Sequence, residues 1–157
     1  MRRILVPTDF SNCSEHALHY AANLARKLGA RVVLLHVIEP IIAGDIYGFA
    51  EISDLNAELK RSATRRIARN VARLEKRGIR SRGLIDSGPA APAILEHAGK
   101  SADLIVLGTH GRTGFSHLFM GSVAEKVVRG ARCPVLTVRQ SRTRKPASQS
   151  AARKRRR

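Results

Sequence analysis

Short apolar runs alternate with longer amphipathic segments along the first 139 residues of the chain. Five runs rich in Val, Ile and Leu have the length of buried strands, and turn-forming or polar residues bound them. These runs cover residues 4–7, 31–37, 79–85, 104–107 and 135–138. They predict five strands, of which the third is the weakest because its sequence is the least apolar.

The segments between the apolar runs carry the signals of helices. Ser11 is a suitable N-cap for the first helix, and Gly29 is expected to end it. A second apolar stripe runs at helical spacing over residues 52–74. Gly88 precedes a proline that is welcome in the first turn of a third helix, and Gly121 precedes the fourth.

This alternation predicts one α/β domain over residues 1–139, with a five-stranded parallel sheet covered by helices on both faces. In such sheets, ligands bind beyond the carboxyl ends of the strands, where the strand order switches. The loops at those ends span residues 7–9, 37–38 and 108–122. We therefore expect a binding site to be built from these loops.

Charge separates the domain from the residues that follow it. The 157 residues include 29 Lys and Arg against 12 Asp and Glu, and eight of the basic residues follow Arg139, where no acidic residue occurs. Residues 140–157 have the composition of a disordered basic tail. Such a tail favours sequence-independent binding of nucleic acid or another polyanion.

Composition also bears on the cellular setting. The two cysteines, Cys13 and Cys133, form neither a disulfide framework nor a metal-ligand pattern, which fits a reducing compartment. No apolar stretch approaches the length needed to cross a bilayer, and the N-terminal apolar run is too short for a signal peptide. We expect a cytoplasmic protein with no membrane span.

The most specific motif is Gly108-Thr109-His110-Gly111, followed after nine residues by Gly121-Ser122. It begins where a strand ends and finishes where a helix begins. That setting suits phosphate binding, because glycines admit backbone N–H groups close to an anion and a helix N-terminus offers unpaired donors. A tight turn and a helix cap explain the same residues equally well. The sequence contains no Walker A loop, and no glycine fingerprint for dinucleotides follows the first strand.

The pattern G-x-x-G, nine residues, G-[ST] resembles the nucleotide-binding signature of the universal stress protein family. The segments ILVPTDFSNCSEHAL, VVLLHVIEP, ADLIVLGTHG and GSVAEKVVRGARCPVLTVR also resemble that family's strands and helices. The resemblance covers residues 2–139 and implies a flavodoxin-like, Rossmann-like sheet with the strand order 3-2-1-4-5. It further implies an ATP-binding stress-response or regulatory protein with at most slow ATP hydrolysis.

The resemblance implies a role for individual residues as well. Asp9 would lie close to the nucleoside, the backbone of Val37 would meet the adenine, and Mg²⁺ would share the phosphate charge. Without the resemblance, Asp9 would be interpreted only as a favourable charge at the start of a helix. The implied nucleotide-binding residues are Pro7, Thr8, Asp9, Val37, Leu107, Gly108, His110, Gly111, Gly121, Ser122 and Val123. No catalytic residue and no protein ligand for a metal is assigned.

Both the apolar last strand and the family resemblance bear on the oligomeric state of the protein. An apolar edge strand left bare invites pairing with another chain, and two-fold closure is the commonest outcome. Family members commonly dimerise through their last strand. The resemblance therefore implies a homodimer formed through residues 135–138.

Two other classes of function stay open. A basic stripe lies away from the apolar stripe of the second helix and is formed by Arg65, Arg69, Arg73, Lys76 and Arg80. A solvated helix face is the usual interpretation, but together with the tail this stripe fits a nucleic-acid or polyanion binder. An adenylating or ATP-pyrophosphatase-like enzyme is the third hypothesis, and the lack of a further catalytic constellation speaks against it.

Overall fold

The computed structural model of the chain describes residues 1–41, 49–110 and 120–139, so that the predicted tail, residues 140–157, lies outside the described residues. Five strands and four helices alternate along them. The strands are β1 (Arg3–Pro7), β2 (Arg31–Ile38), β3 (Ser81–Ser87), β4 (Leu104–Gly108) and β5 (Val135–Val138). The helices are α1 (Asn12–Leu28), α2 (Phe49–Glu75), α3 (Ala90–Ser101) and α4 (Ser122–Gly130).

The strands form one parallel sheet in the order β3-β2-β1-β4-β5, which confirms the predicted fold class and topology. The central strand β1 pairs Ile4 with Val32 on one side and with Leu104 on the other. Strand β3 is an edge strand and starts at Ser81, later than predicted. Ile79 is instead buried in the turn that closes α2, where its N–H donates to the Leu74 carbonyl at 3.1 Å.

Helices cover both faces of this sheet because side chains alternate along each strand. Val6 and Val106 point into a core formed with α1 and α2, whereas Leu5 and Ile105 point into a second core formed with α3 and α4. Seven core positions on β1 and β4 are isoleucine, leucine or valine with at most 6 % exposure: Ile4, Leu5, Val6, Leu104, Ile105, Val106 and Leu107. Strands β1 and β4 are therefore buried on both faces of the sheet.

Helix α2 is longer than the sheet that it covers. Its 27 residues span about 40 Å, whereas the eight residues of β2 span about 27 Å. Leu55 and Leu59 consequently remain 48 % and 37 % exposed. The predicted apolar stripe is buried at Ile52 and again from Ala63 onward, not along its whole length.

The predicted ends of α1 are confirmed. The Ser11 hydroxyl accepts a hydrogen bond from the Ser14 N–H at 3.2 Å, and Gly29 adopts the left-handed conformation, with φ of 62°, that glycine allows. Pro89 serves as the N-cap of α3 and not as a first-turn residue. None of the helices in the described ranges is both long and apolar enough to cross a membrane.

Candidate functional site

An open cavity of about 200 Å³ lies beyond the carboxyl ends of β1, β2 and β4, where the strand order switches. Ten of the eleven residues implied by the sequence line it, and Gly111 lies outside the described residues. The ten are Pro7, Thr8, Asp9, Val37, Leu107, Gly108, His110, Gly121, Ser122 and Val123. Sequence reasoning missed six further lining residues: Ser14, Leu35, Ala90, Ile94, Thr109 and Ala124.

The loop between β1 and α1 presents a carboxylate to this cavity. The Thr8 hydroxyl oxygen accepts from the Phe10 N–H at 3.0 Å, and Asp9 Oδ1 accepts from the Ser11 N–H at 3.0 Å. Burial raises the pKa of Asp9, but hydrogen bonds from Ser11 and Ser14 outweigh the burial and hold this pKa below its ordinary value. Asp9 is therefore an ionised acceptor at neutral pH.

Phe10, the next residue, has a strained backbone conformation. Its φ of 63° lies in the left-handed region, which is unfavourable for a bulky residue. The Phe10 ring lies 4.4 Å from the His36 ring, and the Arg66 guanidinium carbon lies 4.1 Å from its centroid. His36 also donates from Nδ1 to the Thr8 carbonyl at 2.7 Å. Contacts from β2 and α2 thus fix the conformation of the loop that carries Asp9.

The start of α4 forms another wall of the cavity. The Gly121 N–H donates to the Thr109 carbonyl at 2.7 Å, which ties the helix start to the end of β4. Gly121 is the N-cap and has no side chain with which to cap the first turn. Ser122, Val123 and Ala124, which supply that turn's N–H groups, all line the cavity. Among the described residues nothing pairs these N–H groups, so they and the partial positive charge of a helix N-terminus are available to an anion.

His110 contributes an unsatisfied polar atom. Its Nδ1 lies 2.9 Å from the Thr109 hydroxyl oxygen. Its Nε2 is buried and, within the part of the chain that the structure describes, has no hydrogen-bond partner. Buried polar atoms are nearly always paired in folded proteins, so a ligand atom in the cavity would relieve an unfavourable state of His110.

Gly108 has a packing role that the sequence motif does not reveal. A Cβ atom at this position would lie 2.8 Å from the Cys13 sulfur and 3.0 Å from the Cys13 carbonyl carbon. Helix α1 therefore approaches β4 too closely for any side chain at residue 108. The fold requires this glycine whatever the cavity binds.

The strand order and the cavity at its switch point define a flavodoxin-like α/β protein with a ligand pocket. Comparison with known proteins supports the same class of fold. The model of the universal stress protein family matches residues 1–139. A universal stress protein of Methanocaldococcus jannaschii is 36% identical over 142 residues, which cover 88% of this chain and 82% of the relative.

Solved structures give the same result. The universal stress protein UspA of Lactobacillus plantarum has a TM-score of 0.79 at 25% identity, over 88% of this chain and 97% of that one. The universal stress protein of Archaeoglobus fulgidus in complex with dAMP has a TM-score of 0.60 at 25% identity, over 88% and 98% of the two chains. The chain belongs to the universal stress protein family, as its sequence motifs predict.

Proposed function

We propose that this protein binds ATP in the cavity beyond β1, β2 and β4 and acts in stress response or regulation, with at most slow ATP hydrolysis. One observation carries the proposal: the uncapped first turn of α4 and the ionised Asp9 line the same cavity. A nucleotide has a matching polarity, since its phosphates are anionic and its ribose hydroxyls donate hydrogen bonds.

The phosphates lie at the start of α4 in this proposal. The backbone N–H groups of Ser122 and Val123 and the Ser122 hydroxyl supply the donors, and Gly121 leaves room for the anion. Gly108 and Gly111 complete the phosphate loop. No lysine is required, because the helix N-terminus itself attracts the charge.

The nucleoside lies at the β1 and β2 end of the cavity. Asp9 accepts from the ribose, Thr8 and Pro7 border it, and the backbone of Val37 meets the adenine. Leu107 adds an apolar wall, and Nε2 of His110 gains a hydrogen-bond partner on the ligand. The related Archaeoglobus fulgidus protein, whose structure is a complex with dAMP, supports an adenine nucleotide as the ligand class.

In this proposal, Mg²⁺ binds together with the nucleotide. Among the described residues, no group of three or more His, Cys, Asp or Glu side chains is arranged to hold a metal ion. Mg²⁺ keeps several waters and is commonly bound through substrate phosphates with one or two carboxylates, so it fits a cavity whose described lining includes one carboxylate, Asp9.

We also propose a homodimer in which β5 pairs with its copy. Strand β5 is an edge strand, and all four of its residues are partly exposed in the single chain. Sedimentation at micromolar concentration should give the mass of two chains. Leu136→Asp should give monomers with an unchanged circular dichroism spectrum, and a persisting dimer would refute the proposed interface.

The remaining parts of the proposal concern the chain outside the cavity. Residues 1–139 form the universal stress protein domain of a cytoplasmic protein, and residues 140–157 form a disordered basic tail that binds polyanions. Truncation after residue 139 should reduce the dependence of heparin or DNA binding on salt concentration. Identical salt dependence in the two proteins would exclude this role of the tail.

Two measurements test nucleotide binding. Denaturing the purified protein and analysing the small molecules released should identify ATP or a related adenine nucleotide. Calorimetry with millimolar ATP and Mg²⁺ should detect binding to protein stripped of ligand. The absence of both heat and a melting shift would reduce the motif to a turn and a helix start, and the polyanion hypothesis would take its place.

A further inference from the structure

The two helical layers of the domain differ in charge. Between residues 60 and 80, on α2 and the turn after it, the chain carries nine basic residues and one acidic residue, Glu75. Helices α3 and α4, on the other face of the sheet, together carry three basic and two acidic residues. Both acids there form an ion pair within their own helix. Positive charge is thus concentrated on the layer of α1 and α2.

Few of the α2 charges are neutralised by the fold. Glu58 pairs with Arg61 at 2.9 Å and with Arg65 at 3.0 Å, and Glu15 of α1 pairs with Arg73 at 2.6 Å. The other six basic residues form no ion pair with a carboxylate of the described residues: Lys60, Arg66, Arg69, Lys76, Arg77 and Arg80. Five of these six are exposed, whereas Arg66 is half-buried over the Phe10 ring.

The exposed cations lie along one side of α2. Residues three and four apart are neighbours on a helix, and this spacing joins Arg65, Arg69, Arg73 and Lys76. The opposite side of α2 is buried at Ile67 and Leu74. Helix α1 adds Arg26 and Lys27 in its last turn. We call the exposed basic residues of 60–80, together with Arg26 and Lys27, the basic surface.

A groove between α1 and α2 interrupts the basic surface. Its volume is about 420 Å³, and it is lined by the imidazoles of His16 and His19 and by Arg73 and Arg77. Among the described residues that line it, Glu15 is the single acidic one. The groove therefore offers several hydrogen-bond donors suited to phosphate oxygens.

We propose that the basic surface binds the phosphate backbone of double-stranded nucleic acid, and this proposal does not rest on nucleotide binding in the cavity. The row from Arg65 to Lys76 is about 16 Å long at 1.5 Å per residue. Each strand of a duplex carries one phosphate per about 3.4 Å of helix axis, so the row spans the axial rise of about five base pairs. The charges and their extent fit a duplex backbone.

The composition of the surface argues against other occupants. Tyr20 is the one large exposed aromatic residue that α1 and α2 offer among the described side chains, too few for stacking on unpaired bases. A helix that lies on a membrane inserts its apolar side, but from Ala63 onward the apolar side of α2 is buried against the sheet. Binding through phosphates alone is expected to be independent of base sequence.

The test removes two charges from each face of the full-length protein. Arg69→Gln with Lys76→Gln alters the basic surface, and Arg82→Gln with Lys126→Gln is the matched control on other exposed, unpaired cations. Both variants should melt as the wild type does. Anisotropy with a 20-base-pair DNA duplex, measured over a range of salt concentrations, should give a log–log slope lower in magnitude by about 2 for the first variant. The control should keep the wild-type slope.

Three outcomes would overturn the proposal. A wild-type slope for the first variant would leave duplex binding to the tail, and an equal reduction in both variants would indicate net charge without a defined surface. Phosphatidylserine vesicles or polyglutamate that compete as well as the duplex at equal charge would point to another class of partner. Preferential duplex binding whose salt slope falls only in the first variant supports the proposal. Calorimetry with ATP on the same variants keeps this result separate from that of the cavity.

Discussion

Helices α1 and α4 both begin near the carboxyl edge of the sheet, yet their first turns are completed differently. At α1, the Ser11 hydroxyl accepts from the Ser14 N–H, and Asp9 accepts from the Ser11 N–H. At α4, the N-cap is Gly121, which has no side chain to offer. One helix start is satisfied by its own chain, and the other retains donors that line a cavity.

This difference separates stability from binding. A capped helix start stabilises the fold but has less to offer a ligand, because its donors are already paired. An uncapped start is less stable by itself and attracts an anion. The Ser11 cap should therefore mainly affect unfolding, whereas residues at the α4 start, and Asp9 in the cavity wall, should affect nucleotide affinity.

The largest effect is expected from Gly121→Val. ATP at about 100 times its dissociation constant should stabilise the wild type by about 2.7 kcal/mol, a melting shift of about 5–10 °C for this size. The branched side chain would occupy the phosphate position and abolish the shift. Gly99→Val is the control, because a Cβ at that exposed helical glycine meets nothing within 4 Å. An unchanged shift in Gly121→Val would place the phosphates elsewhere.

Asp9→Ala should have a smaller effect on binding, since it removes one acceptor and blocks nothing. A hydrogen bond to a charged group contributes about 1.5–3 kcal/mol, so affinity should fall by about 10- to 100-fold in calorimetry. The variant should also unfold more easily, because the Ser11 N–H loses its acceptor. Asp9→Asn keeps an acceptor for that N–H and separates the two effects. Equal ATP affinity in wild type and both variants would contradict a nucleoside contact.

Ser11→Ala should lower the stability of the protein without changing its stabilisation by ATP. Loss of an N-cap costs about 1 kcal/mol, which lowers the melting temperature by about 2–4 °C. The additional shift produced by ATP should remain that of the wild type, because Ser11 is not part of the cavity wall. A smaller ATP-induced melting shift in this variant would show that the Ser11 cap also affects nucleotide binding.

Ser122→Ala should produce the smallest change. It removes a hydroxyl donor but leaves the backbone N–H groups of α4. The free energy of ATP binding measured by calorimetry should therefore become less favourable by about 0.5–1.5 kcal/mol. Ser53→Ala, at an exposed position of α2, provides the matched control. A loss as large as that of Gly121→Val would show that the hydroxyl, and not the helix N-terminus, holds the phosphates.

Much of the fold could be predicted because its signals are local. Apolar runs, the Ser11 cap and Gly29 each act within a few residues, and the structure has those elements at those positions. Element boundaries were less predictable. Ile79 belongs by composition to a strand, but packing beneath α2 places it in a turn. The exposure of Leu55 also depends on the length of the sheet, which the periodicity of α2 does not encode.

The residues of the candidate site were also predictable only in part. The spaced glycine motif and its family resemblance identify eleven residues, and ten of them line one cavity. Ser14, Ala90 and Ile94 escaped prediction because they lie in helices that look like ordinary core elements in sequence. The basic stripe likewise gives no sign that Glu15 neutralises Arg73 while Arg69 has no ion pair among the described residues.

The sequence by itself determined the alternation of strands and helices, the family, and the concentration of charge on one helix, because periodicity, motif spacing and composition are properties of the chain. The tertiary structure alone decided which helix starts face a common cavity and which charges are paired. It also decided that Gly108 must lack a side chain, since Cys13 of α1 lies against it. These outcomes depend on distances between residues far apart in the chain, and those distances exist only once the sheet has assembled.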